Sequence, residues 1–106
     1  MEKKAFVTKE LVEEIARKYP TPFHIYDERG IRENARALKE AFSWNRGFKE
    51  YFAVTATPNP FLMEILQDYG CGSDCSSLTE LILSHAMGME GEDIMFSSND
   101  TPAEEF

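Results

Sequence analysis

From Glu50 onward the chain repeats one unit: a short apolar run, a turn of small polar residues, then an amphipathic stretch. Tyr51 to Val54 suits a strand buried on both faces. Thr57-Pro58-Asn59-Pro60 stops it and supplies capping side chains and a first-turn proline to a helix starting near Phe61. That helix runs to Tyr69 with Leu62, Ile65 and Leu66 buried, and Gly70 ends it in the left-handed conformation. Cys71 to Cys75 forms the next strand. Ser76-Ser77 opens a helix through Ala86, with Leu78, Leu81, Ile82 and His85 facing inward. Asp93 to Phe96 is a third strand, and Thr101-Pro102-Ala103-Glu104 carries the capping signals of one more helix. Strands alternating with amphipathic helices imply right-handed crossovers and a parallel sheet. The fold class is therefore α/β, either an open three-layer sheet or the first arc of a barrel. The chain is expected to be cut, since it stops within the first turn of a capped helix.

The first 48 residues read as a lead-in, and residues 49–106 as the first strand–helix units. Thr8 caps a helix over Lys9 to Tyr19, striped by Leu11, Val12, Ile15 and Ala16. Pro20 and Pro22 end it. Phe23-His24-Ile25-Tyr26 is expected as a short strand. Asp27 then caps a helix over Glu28 to Phe42 with Ile31, Ala35, Leu38 and Phe42 on one side and Arg29, Arg32, Glu33, Arg36, Lys39 and Glu40 solvated. Trp44, in the loop that follows, is expected to pack as a lid over the helix end.

Composition narrows the function classes. A formal charge of −8 argues against nucleic acid or an anionic membrane surface as the main partner. No apolar run approaches the ~20 residues of a membrane span, and Met1 to Phe6 is charged and lacks the apolar segment of a secretory signal. The expected location is the cytoplasm. Cys71 and Cys75 are the only cysteines, with His24 and His85 distant, a poor zinc set that reads as reduced thiols in or beside a buried strand. No metal is expected.

Parallel strands deliver their C-terminal ends to one edge, where α/β proteins keep their chemistry. Three polar turns meet there: Thr55-Ala56-Thr57, Asp74 through Glu80, and Ser97 through Asp100. Hydroxyls and helix N-termini would suit a phosphate or a small acid. Structural roles compete: Ser77 and Glu80 fit a capping box, Asp74 fits a strand-end cap, and Ser97, Ser98 and Asn99 fit ordinary turns.

Five ordered blocks resemble a known family. They are Thr21 to Asp27, Arg32 to Ala35, Tyr51 to Pro60, Gly72 to Glu80, and Met95 to Asn99. Together they are similar to the N-terminal part of diaminopimelate decarboxylase, one of the fold-type III pyridoxal-phosphate decarboxylases, and less specifically to ornithine, arginine or carboxynorspermidine decarboxylases. The resemblance implies an alanine-racemase-like (β/α)8 TIM-type barrel, of which this chain would hold the first three or so units. It also implies pyridoxal 5′-phosphate as cofactor, a small amino-acid substrate and a homodimer. By the same resemblance Ala53 and Asp74 lie at the cofactor, Glu80 lies close to the imine, and position 55 is where the family places the lysine that forms it. Here that residue is Thr55. A hydroxyl cannot form a Schiff base, and loss of a covalent nucleophile costs orders of magnitude in rate. The expectation is an inactive chain, or else a catalytically dead homologue that binds or regulates an active one. An unclosed barrel arc is also expected to be molten or aggregation-prone, because it leaves a sheet edge and core faces uncovered.

Overall fold

The computed structural model describes residues 3–106; Met1 and Glu2, the start of the segment read for a secretory signal, lie outside them. Three strands, β1 (Tyr51–Ala53), β2 (Gly72–Cys75) and β3 (Ile94–Phe96), form one sheet in sequence order. Both pairings are parallel. The helices are α1 (Lys9–Lys18), α2 (Glu28–Ala41), α3 (Pro60–Gln67) and α4 (Leu78–Ala86). The α3 and α4 crossovers link the strands as the sequence pattern requires. This is a partial α/β arrangement around a three-stranded parallel sheet, as expected for the first arc of a (β/α)8 barrel.

The helix ends follow their signals. Thr8 Oγ1 accepts from the Leu11 amide at 3.1 Å, and Asn59 Oδ1 accepts from the Phe61 amide at 3.0 Å with Pro60 in the first turn. Gly70 takes φ +83°, where an L side chain would be strained. Asp27 occupies the cap position of α2, but its side chain makes no capping bond, against expectation. Its carboxylate lies over Gly30 instead, 2.6 Å from where a Cβ would stand.

Register sorts the sheet into two faces. Phe52 pairs Ser73, which pairs Ile94; Ala53 pairs Asp74, which pairs Met95. Alternation therefore puts Phe52, Val54, Ser73, Cys75, Ile94 and Phe96 toward the helices. Val54, Met63 and Cys75 form the fully covered centre, with Phe52, Leu81, Leu83, Met87, Ile94 and Phe96 packed around it. The Ser73 hydroxyl donates to Met89 Sδ at 2.9 Å, and Cys75 Sγ lies 3.3 Å from Ser84 Oγ. On the opposite face Ala53 and Met95 are exposed. A closed globule of 12.1 kDa would expose roughly 6,000 Å², whereas this chain exposes 8366 Å². Its radius of gyration is 16.7 Å, against about 13 Å for a compact chain of this length.

Several expectations are corrected. Phe23 to Tyr26 forms no strand among the described residues and joins no ladder of the sheet. The first strand, β1, is not buried on both faces, and Val54–Ala56 leaves it as a 3-10 turn. The stripe of α1 is largely exposed, with no residue of the helix fully buried. Trp44 is 77% exposed rather than a lid, since Phe48 takes that role by stacking on Phe42 at 4.4 Å between ring centres. Arg32 is paired rather than solvated, 3.1 Å from both Glu28 and Asp68. The phase of α4 also differs. Glu80 and Ser84 are buried, Leu81 is half-buried, and Leu78, Ile82 and His85 are exposed. The last turn, Ala103–Glu105, is 3-10 rather than the start of an α-helix. Met63, absent from the expected core, is 2% exposed.

Candidate functional site

Parallel pairing carries the C-terminal ends of β1, β2 and β3 to one edge. Ala53, on the open face, leads directly into the turn that holds Thr55, itself exposed. Asp74 is the lateral neighbour of Ala53 across the β1–β2 ladder and lies on the same open face. The turn bearing Thr55 packs on β2. Ala53 and Asp74 thus share one face at this corner, and Thr55 stands exposed in the turn that follows Ala53.

Glu80 reaches that corner from the first turn of α4. It is 8% exposed. Its Oε2 accepts from the hydroxyls of Ser76 at 3.0 Å and Ser77 at 2.7 Å, while Ser77 Oγ accepts from the Glu80 amide at 3.4 Å. Only half of the expected capping box forms, because the carboxylate takes hydroxyl donors instead of the Ser77 amide. Its Oε1 is buried with no partner, and so is Asp74 Oδ1. Asp74 Oδ1 therefore caps nothing. A buried acceptor without a donor is costly unless something else meets it.

Next to Asp74 in β2, on the covered face, stands the Cys75 thiol. Burial pushes it above its usual range, the Ser84 hydrogen bond opposes that shift, and the charges of Glu80 and Asp74 add to it. Cys75 is buried and free, as the sequence implies, and Cys71 is likewise a free thiol raised chiefly by burial. Ser97 donates its amide to the Cys75 carbonyl at 2.8 Å, so that segment serves the ladder. Among the described residues no three His, Cys, Asp or Glu side chains group to hold a metal ion, and no helix is long and apolar enough to cross a membrane.

Lysines do not reach this edge. Lys49 stands at the other end of β1, held 2.7 Å from Asp93 and over the Tyr51 ring. That ion pair raises the lysine pKa and lowers that of the aspartate. Glu105, which sequence reasoning passed over, comes to the edge from the last turn, where its Oε1 accepts from the Leu78 amide at 2.9 Å. Its only sequence signal was its place among capping residues.

Residues 28–106 match the family model described as pyridoxal-dependent decarboxylase, pyridoxal binding domain. The chain belongs to the pyridoxal-dependent decarboxylase family. It is 46% identical over 96 residues to Protein TabA of Pseudomonas amygdali pv. tabaci, covering 91% of this chain and 23% of that protein. To diaminopimelate decarboxylase of Thermoplasma acidophilum it is 37% identical over 89 residues, 84% of this chain and 22% of that one. The structure of diaminopimelate decarboxylase from m. jannaschi superposes with a TM-score of 0.76 at 30% identity, covering 87% of this chain and 22% of that chain. Ornithine decarboxylase from Entamoeba histolytica gives 0.73 at 29% identity, covering 89% and 30%. The chain thus spans 22–23% of the length of these two curated relatives.

Pyridoxal phosphate is the cofactor of this decarboxylase family. The unpartnered oxygens of Asp74 and Glu80 leave acceptor capacity at the corner for a donor group. Thr55 carries no amine. The donor set here does not fit a cofactor tethered through residue 55.

Proposed function

We propose that this chain is the opening segment of a pyridoxal-dependent amino-acid decarboxylase of the diaminopimelate type, and that on its own it is inactive. In the parent reaction meso-diaminopimelate would lose carbon dioxide to give L-lysine. The observation that carries the inactive reading is Thr55 at the corner shared by Ala53 and Asp74. The substrate assignment is supported by the names of one relative and one solved structure above, with ornithine decarboxylation as the neighbouring possibility in that family. Ala53 and Asp74 would border the cofactor, and Glu80 would stand beside its reactive end. A cytoplasmic enzyme working as a homodimer fits this reading.

The test is covalent trapping. Pyridoxal phosphate is mixed with the wild-type chain or with Thr55→Lys, reduced with borohydride, and the adduct is located by peptide mass spectrometry. Labelling at residue 55 in the variant, above the background at surface lysines, is the expected result. Equal, scattered labelling in both chains would remove residue 55 from the role. The wild-type chain should release no carbon dioxide from meso-diaminopimelate.

The open face supports a second reading. Ala53 and Met95 stand uncovered beside the outer edges of β1 and β3, which pair with no further strand among the described residues, a surface suited to a binding or regulatory partner of an active decarboxylase.

A further inference from the structure

After β3 the chain doubles back along the C-terminal edge of the sheet, from the end of β3 to the first turn of α4, the helix that follows β2. Two bonds fasten this strap of residues 97–106. At its root the Ser97 amide donates to the Cys75 carbonyl at 2.8 Å, continuing the ladder past β3. At its tip Glu105 Oε1 accepts from the Leu78 amide at 2.9 Å, across 27 residues of sequence. Between these points the only hydrogen bonds among the described residues are the strap's own, from the Glu105 amide to the Pro102 carbonyl and from the Phe106 amide to the Ala103 carbonyl. No apolar anchor takes their place: no residue of the strap is fully buried, and Phe106 is 96% exposed.

The tip is finely balanced. Leu78 opens α4, so its amide has no acceptor within the helix. The cap residue Ser77 serves the Glu80 amide instead, which leaves Leu78 to Glu105. A carboxylate there gains from a charge-assisted bond and from the positive end of the helix. Glu105 Oε2, however, is buried without a partner, and an unmet buried acceptor costs about as much as such a bond contributes. We infer that residues 97–106 are a strap poised between closed and open, with Glu105 on the Leu78 amide as its single latch. Closed, it lies along the strand-end edge and keeps that amide from any other acceptor. Open, it uncovers the first turn of α4 while Ser97 stays in the ladder as the hinge. The latch is one carboxylate on one amide and does not rest on the decarboxylase reading.

The whole chain, labelled with ¹⁵N, is followed by relaxation dispersion and amide hydrogen exchange. In the wild-type chain, residues 98–104 should show exchange on the microsecond-to-millisecond scale, the signature of two populated positions. Glu105→Ala should quench it and speed hydrogen exchange at Leu78 by about three- to tenfold, the protection lost with a latch closed roughly 70–90% of the time. Ser97 should keep its protection, reporting that the sheet and the hinge are intact in the variant. Glu104→Ala, beside the latch but exposed, should change neither reading. The inference is overturned by a Leu78 amide that exchanges alike in the wild-type and Glu105→Ala chains, by equal effects of the two substitutions, by loss of Ser97 protection together with the latch, or by a wild-type strap that shows no exchange. The trapping result at residue 55 bears on none of these readings.

Discussion

The two faces of the β1–β2–β3 sheet are built from the same strands, residue by residue in alternation, yet only one is a core. Toward α3 and α4, Val54, Met63 and Cys75 are fully covered. Toward the other side the corresponding row is Ala53, Asp74 and Met95, a small residue, an acid and an exposed thioether. The covered face holds the chain together by excluding water from apolar surface. The open face contributes little to that and instead displays the candidate site. Stability and function are thus separated by strand parity, so substitutions on the two faces should have opposite signatures.

The largest expected difference is between two methionines. Met63→Ala on the covered face should cost about 2–5 kcal/mol, read as a lower urea midpoint. Met95→Ala on the open face should change stability by no more than about 0.5 kcal/mol. Equal losses would mean that the open face is packed in solution. Next comes Gly72, where a Cβ would run into the Asp93 carbonyl and stand 2.8 Å from the Tyr51 ring. Gly72→Ala should cost about 1–3 kcal/mol of overpacking by the same assay. A neutral result would show that the β1–β2 contact yields more than a native core does.

The smallest effect concerns the Lys49–Asp93 pair at the far end of the sheet. Asp93 is held below its ordinary 3.8, so its contribution is present above that value and lost as pH falls through the lowered one. Lys49 is raised above 10.5, so its contribution is full below that value and lost as pH rises through the raised one. Lys49→Met should lower the melting midpoint slightly near neutrality, where the pair is formed, and flatten its fall at both pH extremes, where the pair is already lost. An unaltered pH profile would show that this pair is not formed in solution.

Wherever local chemistry decided the outcome, the sequence was legible. Thr8 and Asn59 cap their helices, Gly70 adopts positive φ, and the parallel pairing follows from the alternation of strands and helices. What could not be read depended on partners distant in the chain. Phe23 to Tyr26 has the alternation of a strand, but forming one requires a sheet edge. Trp44 lost its place to Phe48. The hydrophobic pattern of α4 pointed Leu78 and Ile82 inward, yet the sheet meets the stripe through Glu80 and Ser84, whose polar groups are held by Ser76, Ser77 and Cys75. At the candidate site the lateral pairing of Ala53 and Asp74 on one face could be read from strand period and spacing, whereas Thr55 lies beyond the strand in a 3-10 turn. The unpartnered oxygens could not, since an empty valence is a property of the assembled corner.

One detail of that corner bears on how tightly it can hold anything. Two hydroxyls from the loop before α4 grip Glu80 Oε2 and so fix the orientation of the other oxygen before a ligand arrives. A free glutamate would surrender on the order of 1.5–2 kcal/mol of rotamer freedom on being immobilised. Here folding has already removed that freedom. A donor group that met the free Glu80 oxygen would find a preorganised acceptor, its affinity reduced by its own loss of motion but not by that of the carboxylate.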